Sequence, residues 1–243
     1  MKNIKFTIDD LILKGDLFYP EKLKDKNPAI LFIHGWTSEK KRSFQYAEAL
    51  IKLGFVVMVF DMRGHGISEG NINTATPKEF LKDCISAYDY FSSVKGVDKE
   101  TISIVSSSFG GYLSSILITK RKVKNLVLRV PADYANDTFK KPKMGNAGEN
   151  PDVFKWRLIP KKYNETFTLQ GLHDFDGDIL IIESEKDTIV PHPILQNYID
   201  AVKDKNKLTH IIMKDAPHSI KPGPFKEEVT KILVDWFKTK LNN

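Results

Sequence analysis

Ile102-Ser103-Ile104-Val105 runs without a break into Ser106-Ser107-Ser108-Phe109-Gly110-Gly111, and Tyr112, Leu113, Ile116 and Leu117 follow at helical spacing. A short apolar run of this kind suits a strand buried on both faces, so the segment is a strand that turns sharply into a helix. Such a turn holds one serine oxygen at the upper edge of a sheet, and small residues are needed around it because strand and helix pass very close. Gly110 stands two residues after Ser108, whereas Ser106 and Ser107 have Ser108 and Phe109 at that position. Ser108 is therefore the candidate nucleophile.

On either side of this turn the chain repeats the same grammar. Continuous apolar runs recur at Ala29 to Ile33, Phe55 to Phe60, Leu126 to Val130, Ile179 to Ile182 and Leu208 to Met213, with helical patterns between most of them. Thr76-Pro77-Lys78-Glu79 is a capping box with proline at the first helical position, and Phe80, Leu81, Cys84, Tyr88 and Phe91 continue on one face. Phe225, Val229, Ile232, Leu233, Trp236 and Phe237 predict a closing helix. Ile4 to Ile8 and Leu11 to Tyr19 come first as an antiparallel start, with Gly15-Asp16 suggesting a bend or bulge. Alternating strands and helices make a mostly parallel sheet with helices on both faces, whose reactive groups belong at the carboxyl ends of the strands. One stretch, Pro131 to Gly177, breaks the alternation with Pro131, Pro142, Pro151 and Pro160, a basic cluster at Lys140, Lys141 and Lys143, and the aromatics Phe154, Trp156 and Tyr163. A loop that long tends to be functional, and it reads as a lid-like insertion at about 131–177 in one α/β domain spanning 1–243.

Composition narrows the function classes. The 243 residues and 41% hydrophobic content suffice for one large core. The net charge of +6 is spread through segments that also hold 31 acidic residues, with no one-signed stripe and no nucleic-acid-reading motif. Cys84 is the single cysteine, which excludes an internal disulfide and fits a reducing compartment. Met1 to Asp10 lacks the apolar run of a signal peptide or membrane span, so a cytoplasmic location is the expectation. No His, Cys and carboxylate cluster has metal-ligand spacing and no glycine-rich phosphate loop occurs, so no metal or other cofactor is expected.

Five motifs in order complete the picture: His34-Gly35-Trp36 after one strand, Asp61-Met62-Arg63-Gly64-His65-Gly66-Ile67-Ser68 after the next, the serine turn, Glu185-Lys186-Asp187-Thr188-Ile189-Val190-Pro191, and Ala216-Pro217-His218. With these the chain resembles the α/β-hydrolase family over almost its whole length, nearest to its small esterases of the dienelactone-hydrolase-like and cinnamoyl-esterase-like kind. It departs from G-x-S-x-G at Ser106, and it carries serine where true dienelactone hydrolases use cysteine. The resemblance implies the α/β-hydrolase fold and the order nucleophile, acid, histidine, which falls on Ser108, Asp187 and His218. A serine hydroxyl needs a neutral imidazole held in the right tautomer by a carboxylate. His210, His192, His173 and His65 are rival bases, and Glu183, Glu185 and Asp133 rival acids. The oxyanion donors are then the backbone N–H of Phe109 and, by resemblance, that of Trp36. Trp36, Phe154 and Trp156 are the candidate substrate-binding residues, the lid aromatics leaving room for an aromatic acid such as a cinnamoyl group. The implied partner is a small to medium carboxylic ester. Thioesters, short peptides or amides, and a catalytically silent binding protein stay open, as does the choice between monomer and homodimer.

Overall fold

The computed structural model describes residues 1–142 and 151–241. Eight strands among them form one sheet: β1 (Lys2–Ile8), β2 (Leu11–Phe18), β3 (Lys26–Ile33), β4 (Val56–Phe60), β5 (Gly96–Ser107), β6 (Asn125–Arg129), β7 (Asp178–Ser184) and β8 (Leu208–Met213). Their spatial order is β1-β2-β4-β3-β5-β6-β7-β8. β2 pairs antiparallel with β1 and β4, and every pairing from β4 through β8 is parallel. Chain order reverses direction between β3 and β5, and a crevice opens at the carboxyl ends of two strands at such a switch point.

Alternation along each strand divides the core into two layers. Ala29, Leu31, Val56, Met58, Ile104, Leu126 and Ile181 face α2 (Pro77–Ser92), α3 (Phe109–Leu117), α5 (Phe167–His173) and α6 (His192–Ala201). Ile30, Phe32, Val57, Val59, Val127 and Leu180 face α1 (Phe44–Leu50) and α7 (Pro224–Leu241). On α7, Val229, Leu233, Trp236 and Phe237 are buried; each such side chain contributes roughly 1.5–3 kcal/mol. The capping box forms as the spacing predicts, with Thr76 accepting from the Glu79 N–H and the Glu79 carboxylate accepting from the Thr76 N–H. Cys84 is fully buried on the inner face of α2, and burial pushes its thiol well above the ordinary range.

Two expectations are corrected. Gly15 is no bulge: β1 and β2 pair in unbroken register through it. A Cβ there would stand 2.7 Å from the Val59 carbonyl, so the glycine serves close strand packing. The stretch 131–177 is not one structureless excursion either. It contains α4 (Pro151–Arg157) and α5, and α5 buries Thr168, Leu169, Gly171 and Leu172 as an ordinary crossover helix between β6 and β7. The excursion proper thus ends near Glu165; Lys143 and the rest of 143–150 lie outside the described residues. No helix among those described is long and apolar enough to cross a membrane.

Candidate active site

β5 ends at Ser107 and α3 begins at Phe109, leaving Ser108 alone to make the turn, at φ 53° and ψ −117°. That backbone conformation costs a residue with a Cβ about 1–3 kcal/mol and persists only where its surroundings over-determine it. Here the Ser108 N–H donates to the Arg129 carbonyl at 3.0 Å, and the Ser108 carbonyl accepts from Gly111 at 2.9 Å and Ala132 at 3.0 Å. The glycines are required by contact: a Cβ on Gly110 would lie 2.4 Å from the Ile33 carbonyl, and one on Gly111 would lie 2.7 Å from Pro131 Cβ. Ser106 fits because its Oγ tucks inward, 2.7 Å from Ser114 Oγ and donating to the Val127 carbonyl at 3.1 Å.

The loops after β7 and β8 are zipped together, Glu185 N–H donating to the Met213 carbonyl and Lys186 N–H to the Ala216 carbonyl. This brings His218 and Asp187 to the serine. His218 Nε2 lies 3.1 Å from Ser108 Oγ, and His218 Nδ1 lies 2.6 Å from Asp187 Oδ2. Asp187 Oδ1 accepts from the Ile189 and Val190 N–H groups, both at 2.8 Å, which fixes the carboxylate's orientation. A carboxylate on Nδ1 makes that nitrogen the donor and leaves the Nε2 lone pair facing the serine hydroxyl, the tautomer in which the ring can accept the serine proton. Arg129 Nη2 donates to the His218 carbonyl at 2.6 Å and steadies the loop from below.

The rival groups are engaged elsewhere. His192 and His210 both bond the Glu183 carboxylate, at 2.6 and 2.9 Å. His173 stacks on Tyr163 with ring centroids 3.8 Å apart. Glu185 accepts from the Asp215 N–H. Asp133 is buried and accepts from Thr166 Oγ1, Thr168 Oγ1 and the Tyr134 N–H, tying the start of α5 to the end of β6. Burial pushes its carboxyl up to about 6 against those stabilising bonds.

On the other side of the serine, a Cβ on Gly35 would stand 3.2 Å from Ser108 Cβ, so the loop after β3 touches the turn after β5. Two histidines hold this loop. His34 Nδ1 pairs with the Gly35 carbonyl at 2.8 Å and its Nε2 accepts from the Met62 N–H at 3.1 Å. Burial, with His65 beside it, pushes His34 down to about 4, so it stays neutral and keeps both bonds. His65 Nε2 accepts from the Thr37 N–H. Asp61, buried, accepts from the Lys40 N–H and Nζ and from the Ile67 N–H, so the 61–68 motif is scaffold for the loop. The Trp36 ring packs edge-on against Phe80, Phe109 and His65, each at 5.5 Å between centroids.

A cavity of about 350 Å³ opens between these loops, and Ser108, His218 and Trp36 line it. Phe154 and Trp156 do not. The described inner face of α4 carries Val153, Trp156 and Arg157, leaving Phe154 exposed, and Trp156 is covered by Lys161 Nζ at 3.7 Å. Among the described residues of the 131–177 stretch, Tyr134 and Arg157 reach the cavity, and Arg129 joins them from β6. None of the three stood out in the sequence: the cations Arg129 and Arg157 on an inner face run against the polar-outside pattern, and Tyr134 falls outside any periodic run.

A model of the prolyl oligopeptidase family matches residues 41–243. An uncharacterized protein of Mycobacterium tuberculosis is 24% identical over 205 residues, which cover 84% of this chain and 68% of that protein. The mitochondrial palmitoyl-protein thioesterase ABHD10 of Pongo abelii is 28% identical over 182 residues, covering 73% of this chain and 56% of that protein. Among solved structures, Est1E from Butyrivibrio proteoclasticus with bound ferulic acid aligns at TM-score 0.76 and 18% identity, over 99% of this chain and 100% of that one. An alpha-beta serine hydrolase homologue from Coxiella burnetii aligns at TM-score 0.69 and 16% identity over 96% of each chain. The fold is accordingly the α/β-hydrolase fold.

Proposed function

Because the chain belongs to the prolyl oligopeptidase family, we propose that it is a serine hydrolase that cleaves small to medium carboxylic esters through Ser108, His218 and Asp187. The observation that carries this reading is the unbroken chain from Ser108 Oγ to His218 Nε2 at 3.1 Å and from His218 Nδ1 to Asp187 Oδ2 at 2.6 Å. Ser108 Oγ attacks the ester carbonyl carbon while its proton passes to His218 Nε2, and the carbonyl electron pair moves onto oxygen. The backbone N–H groups of Trp36 and Phe109 stabilise that oxyanion, each worth about 3–4 kcal/mol in the transition state. Collapse expels the alcohol, which takes the proton from His218. Water then repeats the sequence, giving its proton to His218, releasing the acid and restoring Ser108.

The role of Asp187 is to hold the ring tautomer and stabilise the imidazolium; Asp187→Asn is expected to lower kcat about 10⁴-fold. Steady-state kinetics on p-nitrophenyl esters of increasing chain length tests the reading, with Ser108→Ala expected to abolish turnover. Full activity in Ser108→Ala refutes it. Thioester cleavage is the second reading, supported by the palmitoyl-protein thioesterase relative; kcat/KM on matched oxygen esters and thioesters of one acyl group decides between them. The segment carrying Tyr134 and α4 serves as the lid, since its residues reach the cavity that holds Ser108.

A further inference from the structure

The cavity beside Ser108 has a one-signed wall. Arg42, Arg129, Arg157 and Lys221 line it, and among the described residues no aspartate or glutamate does. Arg42 and Lys221 are exposed at the rim, and Arg129 spends its guanidinium on the His218 carbonyl and, at 3.4 Å, on Ser184 Oγ. Arg157 differs from all of these. It is 1% exposed, donates through Nη1 to the Ile189 carbonyl at 2.7 Å and lies over the Tyr134 ring at 5.1 Å, while its buried Nε has no hydrogen-bond partner among the described residues. No carboxylate among the described residues forms an ion pair with it.

The chain treats another buried arginine quite differently. Arg63, 3% exposed, is bonded by Asp83 through both Nε and Nη2 and also pairs with Asp9 and Glu79. Taking an unpaired guanidinium out of water costs several kcal/mol unless a counter-charge is supplied. At Arg63 the fold supplies it. At Arg157 the described residues supply none, and the side chain lines the cavity beside Ser108.

We propose that the substrate is an ester bearing a free carboxylate, and that Arg157 binds that carboxylate while the exposed cations at the rim draw the anion inward. The inference rests on Ser108 being the acylated group, and the two are separable. Turnover of p-nitrophenyl acetate by the wild type tests Ser108; the charge preference tests Arg157. Two pairs of near-isosteres read that preference: monoethyl succinate against ethyl levulinate, with the charge on the acyl side, and acetoxyacetate against acetoxyacetone, with the charge on the alcohol side. In at least one pair the wild type favours the charged ester about 100-fold in kcat/KM, mainly through KM. Arg157→Met collapses that ratio to within about 5-fold and Arg157→Lys keeps part of it, because a lysine supplies charge without the planar fork. Added salt lowers the preference of the wild type and leaves the neutral esters unchanged. Should Arg157→Met fail to fold, the salt dependence and competitive inhibition of p-nitrophenyl acetate hydrolysis by succinate serve in its place. Equal rates on charged and neutral members of both pairs by an active wild type overturn the proposal. So does an Arg157→Lys or Arg157→Met variant that loses both members in the same proportion, which would make Arg157 only a latch between α4 and the Asp187 loop.

Discussion

Replacing Ser108 by glycine removes a side chain from a backbone that no side chain favours. At φ 53° and ψ −117° the residue carries about 1–3 kcal/mol of conformational strain. Glycine relieves it but loses about 0.5–1 kcal/mol through the greater freedom of its unfolded chain. Comparison with wild type would mix in the lost bond to His218 Nε2, so the proper reference is Ser108→Ala, which loses the same bond and keeps the strained Cβ. Ser108→Gly should therefore be more stable than Ser108→Ala by about 1 kcal/mol, which in a chain of this size raises the thermal midpoint by about 2–4 °C. Differential scanning calorimetry of the two inactive variants, supported by urea titration, reads the difference. A glycine variant that melts at or below the alanine variant would show that the turn stores no strain.

Other consequences follow from individual contacts. Gly110→Ala sets a Cβ 2.4 Å from the Ile33 carbonyl and 2.6 Å from that of His34. It should destabilise by about 3 kcal/mol or more, visible as a lowered urea midpoint, and a wild-type midpoint would contradict the close passage of α3 over β3. Asp133 titrates at about 6 in the folded chain against 3.8 for an ordinary aspartate. The folded state then binds the extra proton between pH 4 and 6, so this group's contribution is present below pH 4 and lost as pH rises through 6. The change amounts to about 3 kcal/mol. Asp133→Asn should gain that much relative to wild type between pH 4 and 7 in urea titrations, and parallel pH profiles for the two proteins would refute it.

The strand runs and the serine turn were legible because both leave a local signature. A strand buried on both faces needs an apolar run, and the turn leaves Gly110 and Gly111 side by side, although the neighbours that require them, Ile33 and Pro131, come from other strand ends. α5 was not legible, since its buried face is made of Thr168 and Gly171 as well as Leu169 and Leu172, and a face half of small and polar residues leaves no hydrophobic periodicity. Gly171 sits there for close approach, its position lying 2.1 Å from the Ser115 carbonyl once a Cβ is added. The meeting of Ser108, His218 and Asp187 could be expected from motif order, but the cation on the inner face of α4 could not. Arg157 becomes visible as a candidate only when the cavity and the lack of an acid among the described residues of its wall are seen together.

The proposed mechanism requires that Ser108 alone among the serines is made nucleophilic by its neighbours, although Ser106 and Ser107 adjoin it in the chain. Treatment of the full chain with a fluorophosphonate, followed by tryptic mass spectrometry, tests this most directly. We expect a single phosphonylated residue, Ser108, with labelling abolished in His218→Ala and Ser108→Ala. Undiminished labelling of Ser108→Ala, or a modified residue anywhere else, would contradict it.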